Sequence, residues 1–242
     1  MSTTMRIIIL LLMTSTIMGN NFEGSIGLMG QFPKNEFKEQ GVPTGLGIDF
    51  NGIFYPINAL GFGLNIGHGS YGSSSRQIPF NYFSDLITIE ENTTNSIGQG
   101  HLFFKLTPFK YEVQPYMEGL IGIKHLSTNT TLYNNNCNDN PDTDHDDCEI
   151  ASSTNASDFV FSYGWGVGVD ILLVKIDNEL KKSGFWGFFV GGRYLYGGDA
   201  QYLKEGDIEF SDPVDGPVTT TFNWTESATD LLQISFGLKL LF

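Results

Sequence analysis

The sequence predicts an all-β fold: a transmembrane antiparallel up-and-down β-barrel of eight strands with long extracellular loops. Three observations carry that expectation. Apolar residues alternate with polar residues or glycine at period two in eight separate runs, as in strands whose two faces meet different media. Glycine (29) and aromatics (20 Phe, 10 Tyr, 3 Trp) are abundant, while Lys and Arg together number 13. That is too little charge to cover a soluble β-protein. The N-terminus reads as an export signal: Arg6, the apolar run Ile7–Met13, then small and polar residues to Gly19.

The eight runs follow in order. Phe22, Gly24, Ile26, Leu28, Gly30 and Phe32 oppose Glu23, Ser25 and Gln31. Val42 to Phe54 sets Leu46, Ile48 and Phe50 against Gly45, Gly47 and Asp49. Leu60, Phe62, Leu64 and Ile66 alternate with Gly61, Gly63, Asn65 and Gly67. The fourth run is short, Leu102, Phe104 and Leu106 against His101, Phe103 and Lys105. Val113, Pro115, Met117, Ile121 and Ile123 oppose Gln114, Tyr116, Glu118 and Lys124. Phe159 to Val169 places aromatics against Ser162, Gly164, Gly166, Gly168 and Asp170. Trp186, Phe188, Val190, Tyr194 and Tyr196 oppose Gly187, Gly191 and Arg193. The last run, Leu232 to Phe242, alternates with Gln233, Ser235, Gly237 and Lys239. Each supplies roughly the 9–11 tilted residues that cross a bilayer.

The connections sort by length. With the N-terminus on the inner side, the inner links are 55–59, 107–112 and about 172–184. The outer links are 33–41, 70–96, 127–157 and 197–227. Short inner turns and long outer loops are the asymmetry of outer-membrane barrels. A soluble barrel with its apolar face inward would need a charged outer face. The second face here is glycine-rich with few charges, which suits a lumen where glycine leaves room for larger polar neighbours.

Residues 1–19 therefore read as a signal peptide and 20–242 as the barrel. The apolar run is too short for a spanning helix, which needs about 20 residues, and no other long apolar stretch exists. Losing Arg6 moves the net charge from −14 to −15. Such a surface repels nucleic acid. Cys137 and Cys148, the two cysteines of an exported chain, are expected to form a disulfide.

At the C-terminus, Ser235, Gly237, Leu240 and Phe242 fit a polar residue, then glycine, then alternate apolar positions ending on Phe. This resembles the signal by which the barrel-assembly machinery recognises its substrates, which makes that machinery an expected partner. The chain over 22–242 also resembles the small outer-membrane β-barrel superfamily that includes the OmpA transmembrane domain and opacity-type proteins. The phrases Gln114-Pro115-Tyr116-Met117-Glu118-Gly119 and Phe161 to Asp170 are typical of such strands. The resemblance implies the cell outer membrane as location, with lipid and lipopolysaccharide around the barrel. It implies no single activity.

Parity places four acids (Glu23, Asp49, Glu118, Asp170) and four bases (Lys105, Lys124, Arg193, Lys239) inside the barrel. Charges in a narrow lumen need partners, so an ion-paired plug is expected. Asp142, Asp144 and Asp146, within 139–147, are candidate Ca²⁺ ligands, because alternate carboxylates on a turning loop can converge on a hard cation. The loop lacks the glycine and distal glutamate of an EF-hand, and a solvated acidic tip is the simpler expectation. His125-Leu126-Ser127 is similar to the His-x-Ser of the PagL-type lipid A deacylases, although Thr128-Asn129-Thr130 follows in place of that family's Asn-Ala-Gly. An interfacial histidine beside a loop serine is the plainer reading.

The expected function is thus non-catalytic: a monomeric surface barrel presenting long acidic loops for envelope structure, adhesion or ligand contact. The alternatives are a lipid A-modifying enzyme using His125 and Ser127, or a narrow channel.

Overall fold

Alternation on this scale leaves every strand one apolar and one polar face, and the chain resolves that by closing on itself. The structure is a computed structural model and describes residues 22–57, 59–81, 84–108, 111–134, 149–177, 183–204, 207–210 and 220–241. Seven strands follow in sequence: β1 (Phe22–Pro33), β2 (Gly45–Ile57), β3 (Leu60–Asn81), β4 (Ser84–Leu106), β5 (Val113–Asn134), β6 (Glu149–Asp177) and β7 (Ser183–Gly197). Four short strands, β8 (Asp199–Tyr202), β9 (Ile208–Phe210), β10 (Thr220–Phe222) and β11 (Thr225–Ala228), precede β12 (Leu231–Leu241). The ring runs β1-β12-β7-β6-β5-β4-β3-β2, with consecutive strands antiparallel. Pairing of β1 with β12, from Glu23 opposite Leu241 to Pro33 opposite Leu231, closes it. Closure pairs the backbone that an open sheet would leave bare, which a hydrocarbon environment requires.

The outer half differs from the sequence expectation. Strands β3 to β6 are 22, 23, 22 and 29 residues long, about twice what crosses a bilayer. Much of the expected loops 70–96 and 127–157 is therefore paired strand, with β3 and β4 paired, through register shifts at Ser70/Gly72 and Pro79/Asn81, out to Asn81 opposite Ser84. The reason lies in the surroundings. Beyond the hydrocarbon both faces meet polar media, so the apolar alternation stops while backbone pairing continues. Side chains such as Thr93 and Thr130, 2.9 Å apart across β4 and β5, help carry it.

Described parts of the two remaining outer links pack over the mouth. The 33–41 link contains a short helix, α1 (Asn35–Glu39), and the 197–227 link contains β8 to β11. Phe37 of α1 is fully buried, edge-on to Tyr202 (5.2 Å) and Tyr71 (6.2 Å). Val42, Leu126, Val160, Leu195 and Leu231 belong to the same apolar cluster. Asn35 takes φ 48°, a left-handed conformation that asparagine tolerates. Its amide donates to Asp230 Oδ2 (2.7 Å) and to Tyr194 Oη (3.1 Å), tying α1 to the root of β12. Gly41, at φ 80°, turns the chain back toward β2.

Candidate functional site

Parity defines the lumen set, and the inward positions are filled by side chains that cross the axis. Near the inner end, Lys105 Nζ lies 3.0 Å from Glu23 Oε1 and 2.7 Å from Asp170 Oδ2. Lys239 Nζ approaches the same two carboxylates, at 2.9 and 2.6 Å. Two acids and two bases form a neutral square. Tyr55 donates to Glu23 at 2.8 Å, and the Tyr116 ring centre lies 4.1 Å from the Lys105 ammonium. At mid-height Arg193 Nε donates to Glu118 Oε1 (2.6 Å), Nη1 to Asp49 Oδ2 (3.4 Å) and Nη2 to Asn51 Oδ1 (2.9 Å). Gly166 makes room for this group: a Cβ there would fall 2.7 Å from Glu118 Oε1 and 3.0 Å from Arg193 Cγ.

Lys124 stands apart from these two groups. It is wholly buried, yet its ammonium donates to the carbonyls of Thr229 (2.6 Å) and Leu195 (3.3 Å) and makes no ion pair among the described residues. It reaches from β5 to the outer ends of β7 and β12 and acts there as a backbone clamp. The four-to-four charge count conceals this, because counting carries no height along the axis. Asn51, Asn65, Gln99 and Gln233 extend the polar filling, with Gln99 Nε2 donating to Gln233 Oε1 at 2.8 Å. Their parity marks them as inward, but a reading built on charge misses uncharged residues.

His125 and Ser127 both lie on the outward face, but the structure does not bring them together as a pair. His125 Nε2 is 2.8 Å from Ser157 Oγ on β6, and its ring stacks on Phe159 with centroids 4.2 Å apart. Ser127 Oγ is 2.9 Å from Ser96 Oγ on β4. Residues i and i+2 of one strand are about 7 Å apart, so each finds a cross-strand partner first. Of the assembly motif, Ser235 points into the lumen beside Gln233 and Leu240 outward, while Gly237 packs where a Cβ would strike the carbonyl of Ile26. Phe242, Cys137, Cys148, Asp142, Asp144, Asp146 and the signal peptide lie outside the described residues. Among the described residues no group of three or more His, Cys, Asp or Glu side chains is placed to hold a metal ion.

The outward face of β3 to β6 is ordered in rows that run across all four strands. Leu64, Leu102, Ile121 and Tyr163 form one row, and Ile66, Gly100, Ile123 and Phe161 the next. These large side chains are about half exposed; Leu102 is 64% exposed. The following row is His68, Gly98, His125 and Phe159, and above it stand Ser70, Ser96, Ser127 and Ser157. Two more rows hold only Ser, Thr and Asn: Ser73, Thr94, Asn129 and Thr154, then Ser75, Asn92, Thr131 and Ser152. Apolar alternation gives no sign of these positions, which read as loop. The visible signal is Ser, Thr or Asn at every second residue of 92–96 and 127–131.

Exposed Ile, Leu, Phe and Trp around a polar, ion-paired interior invert the pattern of a soluble barrel. This is the outer-membrane class of β-barrel, and its apolar belt places the chain in the outer membrane. No family model matches the chain, and no curated protein matches it in sequence. Solved barrels do resemble it. The Neisserial surface protein A is 13% identical, with 91% of this chain and 97% of that one covered, at a TM-score of 0.40. Ail, the attachment invasion locus protein of Yersinia pestis, in complex with the heparin analogue sucrose octasulfate, is 12% identical over 92% and 99%, at 0.37. A major outer membrane protein of Thermus thermophilus is 11% identical over 91% and 99%, at 0.38. None of these likenesses bears on what this chain does.

Proposed function

We propose that this chain is a non-catalytic surface barrel whose role lies in the structure it presents outside the membrane, for envelope integrity, adhesion or ligand contact. One observation carries the reading. The lumen is crossed by ion pairs at two heights and covered by the Phe37–Tyr202 cluster, while β3 to β6 continue far past the apolar belt. An eight-stranded barrel has just the width that side chains fill, so transport through it is disfavoured. Long projecting strands have no use in a simple plug. Lipid and lipopolysaccharide surround the barrel in this reading, the assembly machinery inserts it, and it acts as a monomer.

Burial raises the phenol of Tyr202 above the ordinary tyrosine range, with a Ser227 hydrogen bond acting against the rise. The Tyr202 phenol is therefore uncharged at neutral pH. Reconstitution into planar bilayers tests the reading: no large, stable conductance steps are expected. Steady openings in most insertions would overturn it in favour of the channel. The deacylase-like alternative loses its His125–Ser127 pairing, and the contact His125 does make, with Ser157, has no carboxylate to orient the imidazole among the hydrogen bonds of the described residues.

A further inference from the structure

We infer that the exposed rings of Phe222 and Trp224, beside β11 in the cap, are a docking site for a Lys- and Arg-rich peptide segment of another protein. The inference rests on the surface-barrel reading and names the partner class of its outer connections. Position is the first argument. β11 pairs with β8, Thr225 opposite Tyr202 and Glu226 opposite Gln201. Ala200, Tyr202 and Ser227 are buried in this pair of strands, whereas Gln201 and Glu226 are exposed. Tyr202 meets Phe37 on the buried side, so Glu226 is turned away from the apolar cluster. Phe222 and Trp224 precede Glu226 at every second position. They are 37% and 52% exposed, with ring centroids 6.2 Å apart. Most exposed apolar side chains stand on the lipid-facing rows. This pair does not, and adjacent aromatic rings are the side chains on which protein contacts are anchored.

Charge is the second argument. The 197–227 link, which carries the pair, holds seven acids against one base, Lys204. The 127–157 link holds six acids and no Lys or Arg. The lumen set of four acids and four bases is neutral, so these two links carry most of the net charge of −14. Such a field draws cations to the outer surface and repels anions. A second copy of this chain would bring the same acids, and a phosphorylated glycolipid would bring phosphates, so neither suits the pair. A cationic segment is its complement.

Chemistry is the third. An ammonium or guanidinium over the face of Trp or Phe is attracted by the ring's electrons, and the planar guanidinium also stacks there. Glu226 adds a carboxylate two residues from Trp224. Its Oε2 accepts from Gln201 Nε2 at 3.3 Å, and the side chain remains exposed. The backbone that carries the rings is fixed before any partner arrives. Asn223 N donates to the Asp207 carbonyl (2.9 Å), and Asp207 Oδ2 accepts from Lys204 N (2.9 Å) and Thr225 Oγ1 (3.4 Å). Aromatic side chains have few rotors to lose, and a segment already held in place lowers the ordering cost of binding.

The test uses the full mature protein in nanodiscs of phosphatidylcholine and a fluorescent octapeptide of alternating Arg and Ser, read by anisotropy. Empty nanodiscs correct for binding to lipid, and heat-modifiable mobility checks folding. Wild type is expected to bind this peptide, more weakly as salt rises, and to ignore an octapeptide of alternating Glu and Ser. Phe222→Ala with Trp224→Ala is expected to weaken binding about tenfold, and Glu226→Gln about threefold. Trp224→Phe keeps an aromatic face and should retain most of the affinity, so a poorly folding alanine variant does not decide the matter. Glu90→Gln, on β4, should leave binding unchanged. No binding by wild type, binding indifferent to the loss of both rings, an equal loss from Glu90→Gln, or spermine held as tightly as the peptide would each overturn the inference. Conductance decides the closed-lumen reading separately. An open pore that still binds the peptide would refute that reading alone, and a closed barrel that ignores the peptide would refute this inference alone.

Discussion

Arg193 illustrates how a single residue sets the interior. Its guanidinium serves Glu118, Asp49 and Asn51 at once, with two carboxylates drawing on one cation in a region shielded from water. Removing one partner of a buried charge group costs far more than the group contributes, because the remaining charges keep their desolvation penalty. Arg193→Met is therefore expected to destabilise the barrel by about 3–5 kcal/mol. Lys124→Met should cost less, about 1–3 kcal/mol, since it leaves behind carbonyls and no unpaired carboxylate in contact. Urea midpoints of refolded protein in detergent micelles check the order. Equal losses would mean that Lys124 carries an ion pair after all.

Among the elements, the outer connections show where sequence patterning stops informing. Apolar alternation ceases near Ile66 and Ile123, whereas pairing continues to Asn81 and Asn134. Within the membrane the two faces differ in medium, so the pattern is strong. Outside it they differ little, and hydroxyl-rich strands read as loop. The connection carrying Cys137 and Cys148 joins the ends of β5 and β6. We expect these cysteines to be bonded, closing a short ring worth about 2–3 kcal/mol of local order by the chain-entropy estimate. Such a ring would also gather Asp142, Asp144 and Asp146, the arrangement a Ca²⁺ ion needs. Thiol labelling of protein from the envelope, denatured without reductant, checks the bond; two reactive thiols would exclude it and leave the calcium expectation without its frame.

For the whole molecule, closure depends on β12, which pairs with β1 on one side and β7 on the other. Its alternation runs on to Phe242. Deleting Phe242, or replacing it with Asp, is expected to leave the chain exported but poorly inserted, because an unpaired edge strand offers its terminal apolar position for recognition. Normal levels of heat-modifiable protein in the outer membrane would refute the terminal-signal reading.

Strand number, the inward and outward sets, and the membrane class were legible in the order of residues alone. They depend on period-two alternation, a local property that Glu23, Asp49 or Phe161 carries whatever its partners. Tertiary structure decided what needs three coordinates: that Lys124 meets carbonyls and not carboxylates, that His125 meets Ser157 and not Ser127, and that Phe37 folds over the barrel mouth. It also decided that Ser96, Ser127 and Ser157 share one row. The reason is geometric. Parity specifies a face, but height along the barrel and neighbours across it follow from register and closure, which only the assembled sheet defines.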